Sequence, residues 1–223
     1  MDTRGNLSID GTPVKRILIG DDHGIVRKGL METLEDDLGQ VSFGEADNGR
    51  DILAKVAQSK WDLVLLDINM EGRNGLDVLQ EIHRAHPKLP VLILSMYSED
   101  EFAVRALKEG AAGYVSKRMG SEELLGAIRK VLDGGRYISA TVAEKLAADL
   151  QRPSGKSLHE SLSNRELQIL RMIAMGQSLK EIAGELSISV KTVGTNHTRL
   201  LQKMNMSSDI ELTRYALAHK LAE

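Results

Sequence analysis

From Lys15 to Leu132, short apolar runs alternate with longer amphipathic stretches, and this rhythm restricts the fold more than any other feature of the chain. Arg16–Gly20 (RILIG), Ser42–Asp47, Asp62–Leu66 (DLVLL), Pro90–Ser95 (PVLILS) and Ala112–Ser116 read as strands. Between and after them, Gly24–Leu38, Arg50–Ser59, Leu76–Ala85, Glu99–Glu109 and Ser121–Leu132 carry apolar residues at helical spacing. Ser98 with Glu101 forms a capping-box pattern, Ser121 is the expected N-cap of the fifth helix, and Gly110 stands where the fourth should end. Five β–α units in roughly 120 residues require crossover connections, and so a parallel sheet with helices on both faces. Right-handed crossovers leave the doubly wound, flavodoxin-like order as the expected topology of this α/β domain.

In such a sheet the functional site lies beyond the carboxyl ends of the strands. Asp21 and Asp22 follow the first strand, Asp67 ends the third, Ser95 ends the fourth, and the fifth runs into Lys117. Each alone has a commonplace reading as a turn, cap or strand-end residue. Their joint placement at four strand ends does not. Three clustered carboxylates repel one another and call for a hard divalent cation bound through oxygen, with Mg²⁺ the ion expected. A carboxylate there could act as nucleophile on a phosphoryl group, with the metal and the Lys117 ammonium offsetting the oxygen charge. Ser95 could donate a hydrogen bond to the product. No His or Cys triad is evident, and His23 reads as a loop residue.

At this point residues 14–138 resemble a two-component receiver domain. The segment Asp67-Ile-Asn-Met-Glu-Gly-Arg-Asn-Gly75 is similar to the phosphoacceptor loop of that family. The resemblance implies that Asp67 is the phosphorylated residue. It implies that Asp22 and Asp67 ligate Mg²⁺ directly, with Asp21 acting through water and Asn69 through its backbone carbonyl. Ser95 would be the switch hydroxyl, and Tyr114, three residues before Lys117, the switch aromatic; its plainer reading is a half-buried strand residue. Two positions depart from the family pattern. Glu71 stands where receivers usually carry proline, losing a fixed φ and adding charge to an anionic rim. Arg118 replaces a proline often found in a cis bond, and because a non-proline cis bond costs ~3 kcal/mol, a trans peptide is expected.

Residues 139–160 change character. Ala140–Leu150 has helical spacing at Val142, Leu146 and Leu150, and Gln151–Lys156 carries Pro and Gly and reads as a flexible connector. Residues 161–223 hold no strand-like alternation. Instead Ser163 precedes Glu166, Ser178 precedes Glu181 and Ser208 precedes Glu211 at capping-box spacing, while Ser189 is an N-cap without the acidic partner. Gly176 stands where the first helix should end. Four helices follow, at about 164–175, 179–186, 190–204 and 209–221. Only Ser187-Ile188-Ser189 separates the second and third, and a turn this tight is the mark of a helix-turn-helix.

The third of these helices turns Val193, Leu200, Leu201 and Met204 toward a core and leaves a polar face. Cations and hydroxyls suit phosphate contacts, and Asn and Arg also suit base edges. Charge alone would equally describe an ordinary solvated face; the tight turn and the capped second helix favour DNA. Leu162-Ser-Asn-Arg-Glu-Leu-Gln-Ile-Leu170, Lys180-Glu-Ile-Ala183, Ile188-Ser-Val-Lys-Thr-Val193 and Lys203-Met204 resemble a LuxR-type helix-turn-helix, and a receiver followed by this module resembles the NarL/FixJ group of response regulators. The match implies Lys191, Thr192, Thr195, Asn196, Arg199 and Lys203 as DNA contacts. Asn196 stands where the family often has His or Tyr, with His197 next. Gly194 replaces a larger polar residue at a cost of ~1 kcal/mol in helix propensity.

The bulk numbers agree with two domains and an input–output regulator. A chain of 223 residues with 42% hydrophobic residues is long enough for two cores and too apolar for global disorder. Residues 1–160 hold 21 Lys+Arg against 26 Asp+Glu, whereas residues 161–223 hold 8 against 6, so the basic end is the one expected to meet DNA. With no cysteine and no apolar run near the ~20 residues of a span, a reducing, cytoplasmic setting without membrane insertion is expected. Met1–Pro13 reads as a short mobile leader. The implied partners are a sensor histidine kinase, DNA and, in the active state, a second copy. The fourth C-terminal helix, with Leu212, Tyr215, Ala216 and Leu217, is a candidate dimer surface, its alternative being plain core packing. Two rivals remain open: a phosphorylation-independent receiver-like scaffold that binds DNA, and an aspartyl-phosphate phosphohydrolase. The hydrolase would need a second carboxylate two residues beyond the nucleophile, where Asn69 stands.

Overall fold

The structure, a computed structural model, describes residues 14–70, 72–96, 101–151 and 157–222. The leader, Glu71, the Ser98 cap and residues 152–156 of the connector lie outside the described residues. The chain divides into two compact units, 1–143 and 144–223.

In the first unit, β1 (Lys15–Gly20), β2 (Val41–Ala46), β3 (Leu63–Asp67), β4 (Val91–Ser95) and β5 (Gly113–Ser116) form one parallel sheet in the order β2-β1-β3-β4-β5. This is the doubly wound order expected from the sequence. β3 and β4 are buried along their whole length because helices cover both faces, which is why they read as unbroken apolar runs. β2 lies at the edge, and its half-exposed residues explain its weaker apolar signal.

Alternation along the strands sends Ile17, Ile19, Leu63, Leu65, Leu92, Leu94 and Val115 to one face. There they pack on Leu34 of α1 (Gly24–Leu38) and on Ala127, Ile128 and Val131 of α5 (Ser121–Leu132). Among the described residues, α2 (Gly49–Gln58), α3 (Gly75–Ala85) and α4 (Glu101–Lys108) are the other helices up to Leu132. Gly110, at φ 101°, takes the left-handed turn that ends α4. Ser121 is not a cap: Gly120 holds the N-cap position without a side-chain bond, and Ser121 is the first helical residue. The helix enters one residue early because Gly120 itself adopts the extended conformation of a cap.

α6 (Ala140–Gln151) spans the predicted interdomain helix, and the division between units falls within it. In the second unit a 3₁₀ turn, Leu158–Ser161, precedes α7 (Asn164–Ala174), α8 (Leu179–Glu185), α9 (Val190–Met204) and α10 (Asp209–Ala218). The capping boxes at Ser163 and Ser178 are both formed. The one at Ser208 is half formed: its hydroxyl accepts from Glu211 N–H, but the Glu211 carboxylate accepts from Ser207 N–H instead. A further box, Ser157 with Glu160, opens the 3₁₀ turn, an element too short to show a period in the sequence. Among the described residues, no helix is long and apolar enough to cross a membrane.

Candidate functional site

The sheet brings the predicted acidic residues to one rim. β1 delivers Asp21 and Asp22, β3 ends on Asp67, and β5 leads into Lys117. Asp21 and Asp67 are 1% and 3% exposed. Lys117 Nζ donates to Asp21 Oδ2 at 2.6 Å and to Asp67 Oδ2 at 2.7 Å, tying the three strands together at their carboxyl ends. Lys117 N–H donates in turn to Ser95 O at 2.7 Å, so β4 and the start of the β5–α5 loop stay in register at the rim. Ser95 and Tyr114 are fully buried, which makes Tyr114 an inward strand residue rather than a half-buried one. Every peptide among the described residues is trans, Lys117–Arg118 included.

The loop after β3 is shaped by Asn74 and Gly75. Buried Asn74 caps α3 by accepting from Leu76 N–H at 2.8 Å. A Cβ on Gly75 would lie 2.1 Å from Asp67 O and 2.8 Å from Ile68 Cα, so only glycine lets α3 start against the strand that carries Asp67. Neither residue was singled out from the sequence beyond its place in the loop, although an Asn-Gly pair opening a helix is a readable signal. Asn69 N–H donates to Asp67 Oδ1 at 3.2 Å, holding the loop backbone beside the carboxylate.

Electrostatics follow from burial. Burial pushes the Asp67 carboxyl up to about 6; the Lys117 ammonium pulls against this and Asp21 adds to it. Burial works against the Lys117 ammonium, but Asp67 and Asp21 outweigh it and hold Lys117 above the ordinary lysine value. Ligand atoms of Asp21, Asp22, His23 and Asp67 all lie within 4.8 Å of one another. Asp22 Oδ1 is buried without a hydrogen bond, and His23 Nδ1 lies 2.6 Å away, within ion-pair range. An orphaned carboxylate oxygen among hard oxygen donors fits a divalent cation held by Asp21, Asp22 and Asp67.

In the second unit, α8 and α9 are joined by Leu186–Ser189, with Ser187 at φ 50° and Ile188 N–H returning to Ala183 O. Ser189 caps α9 by accepting from Thr192 N–H at 3.0 Å. Val193, Leu200 and Met204 are buried, while Lys191, Thr192, Thr195 and Arg199 are exposed along the opposite face and Asn196 is half-buried. Thr195 and Asn196 donate to the carbonyls four residues back, at Lys191 and Thr192. Lys203 Nζ donates to Glu166 Oε2 at 2.6 Å; that carboxylate also accepts from Ser163 N–H at 2.7 Å. Burial raises Glu166, but Lys203 and Ser163 outweigh it and hold the carboxyl below its ordinary value. No local sequence pattern announces this ion pair, because its partners are 37 positions apart.

Residues 17–129 match the response regulator receiver domain family, and residues 160–216 match the luxR family of bacterial regulatory proteins. Response regulator GacA of Pseudomonas protegens is 39% identical over 208 residues, covering 93% of this chain and 98% of that protein. Response regulator UvrY of Escherichia coli is 37% identical over 206 residues, covering 92% and 94%. Among solved structures, RcsB of Salmonella enterica serovar Typhimurium, bound to promoter rprA in the presence of phosphomimetic BeF3-, has a TM-score of 0.61 at 24% identity and covers 91% of this chain and 98% of its own. At that identity the likeness speaks for the fold alone. The acidic rim, the helix-turn-helix and these relatives converge: the chain belongs to the response-regulator family, in the NarL/FixJ group that joins a receiver domain to a LuxR-type DNA-binding domain.

Proposed function

We propose that this response regulator is switched by phosphorylation of Asp67 and that the switch controls sequence-specific DNA binding and transcription. The observation that carries the reading is the Lys117 ammonium bonded at once to Asp21 and Asp67 on a rim built by three strands. Asp22 and Asp67 would hold Mg²⁺ directly, Asp21 through water and Asn69 through its carbonyl, and an ion so held would supply neutralisation of the phosphoryl oxygens' charge. An Asp67 carboxylate oxygen attacks the phosphorus of a phosphodonor. The new O–P bond forms as the bond to the donor's leaving group breaks, and that group departs with the electron pair. Lys117 then exchanges its Asp67 oxygen for a phosphoryl oxygen. Ser95 donates its hydroxyl to the phosphoryl group, and Tyr114, on neighbouring β5 two positions before Ser116, the register partner of Ser95, follows this change. The donor is a sensor histidine kinase or a small phosphodonor. Asn69, in place of a second carboxylate, favours a stable regulatory phosphate over hydrolase turnover.

The receiver spans 14–138, a linker 139–160, and the DNA-binding domain 161–223, acting in the cytoplasm. α9 reads the major groove through Lys191, Thr192, Thr195, Asn196 and Arg199. Lys203 joins them: its ammonium has three donors and gives one to Glu166. A homodimer places two such helices about one DNA turn apart. The test is affinity for a duplex that the full chain itself selects from a random pool, with and without Mg²⁺ and beryllofluoride. A rise in affinity or a shift to dimer supports the switch. No change in either favours the phosphorylation-independent scaffold.

A further inference from the structure

His23 occupies the N-cap of α1, where Ser, Asp or Asn would bond the first free N–H groups. Its side chain makes no such bond. It turns instead toward the acidic rim, with Nδ1 2.6 Å from Asp22 Oδ1 and 3.3 Å from Asp21 Oδ1. Its backbone N–H donates to Asp21 Oδ1 at 2.9 Å, which fixes the turn that aims the ring. The contact with Asp22 falls on the oxygen that is buried without a hydrogen bond. Nδ1 thus belongs to the same set of ligand atoms, mutually within 4.8 Å, as the three carboxylates. The ring is 69% exposed, so a small rotation about its side-chain bonds costs little packing.

We infer that His23 supplies a nitrogen ligand to the receiver's cation site, so that the site takes a borderline transition ion of the Co²⁺, Ni²⁺ or Zn²⁺ kind more tightly than Mg²⁺. The inference rests on the cation site proposed above. Carboxylate oxygens serve Mg²⁺ well, and an imidazole adds little to a hard ion that prefers oxygen and keeps its waters. For Co²⁺ or Ni²⁺ the same imidazole is a preferred donor, and affinity rises along the first-row series when one is present. One side chain beside the acidic triad therefore sets which metal occupies the site.

The experiment uses the full chain, with CoCl₂ and MgCl₂ as the probes, followed by calorimetry and by the visible d–d bands of Co²⁺. Only the Mg²⁺-displaceable Co²⁺ signal is counted, which separates this site from the five other histidines. Wild type is expected to bind Co²⁺ more tightly than Mg²⁺. His23→Gln should weaken Co²⁺ by ~10–100-fold, the range typical for loss of a supporting metal-site group, and leave Mg²⁺ within about twofold. Co²⁺ affinity and bands unchanged in His23→Gln would overturn the assignment. So would equal losses for both ions, which would mean that His23 only holds Asp22 in place. Failure of the underlying site looks different: Asp67→Asn would leave both ions bound as in wild type, or Mg²⁺ would displace none of the Co²⁺.

Discussion

Asp67 is buried beside another carboxylate, and the cost of its charge should be visible in stability. Its carboxyl is raised from 3.8 to about 6 in the fold. A carboxyl raised on folding contributes stability that is present below the unfolded value and lost as the pH climbs through the folded one. At pH 7 the ionised form thus opposes folding by on the order of 2–3 kcal/mol. Asp67→Asn is expected to raise Tm at pH 7 in EDTA and to lose most of that gain near pH 4. An unchanged or lower Tm at pH 7 would contradict the burial argument. Glu166 behaves oppositely. Its depressed carboxyl contributes stability above the ordinary value of 4.5, lost as pH falls through the lower folded value. Glu166→Gln should cost about 1–2 kcal/mol at neutral pH, kept modest by the exposure of Lys203, and much less in acid. Denaturant melts at the two pH values give the comparison, and a penalty independent of pH would remove the ion pair from the account.

At the scale of elements, capping logic carries most of the DNA-binding domain. Ser163, Ser178 and Ser189 were legible as helix starts because a short side-chain oxygen is the cheapest partner for a free N–H, and each does cap its helix. Ser121 misled because a neighbouring glycine took the cap, and the 3₁₀ turn at Leu158 escaped because four residues show no periodicity. Ser189→Ala should cost about 1 kcal/mol and weaken binding to all duplexes alike, since it loosens the start of α9 rather than a base contact. A loss confined to one operator position would refute that. Lys191, exposed in the first turn of α9, should act on phosphate: Lys191→Ala is expected to lower the salt slope of binding by about 1. An unchanged slope would take Lys191 off the backbone.

At the scale of the whole molecule, the receiver fold and its rim were legible because β–α alternation fixes strand order, and strand order fixes which residues meet. Asp21, Asp67 and Lys117 could therefore be placed together although up to 96 positions separate them. What the pattern could not carry was local and three-dimensional: the tight approach at Gly75, the turn of the His23 ring, the Glu166–Lys203 pair. None of these has a period, and each depends on which side chains the fold happens to bring close. The relatives fix the family, and the rim proposes the switch that joins its two domains. That switch stands or falls on one residue. Intact mass of wild type and Asp67→Ala after incubation with acetyl phosphate and Mg²⁺ tests it directly: the account predicts a single phosphoryl adduct on the wild type and none on the variant, and an adduct of equal yield on both would contradict it.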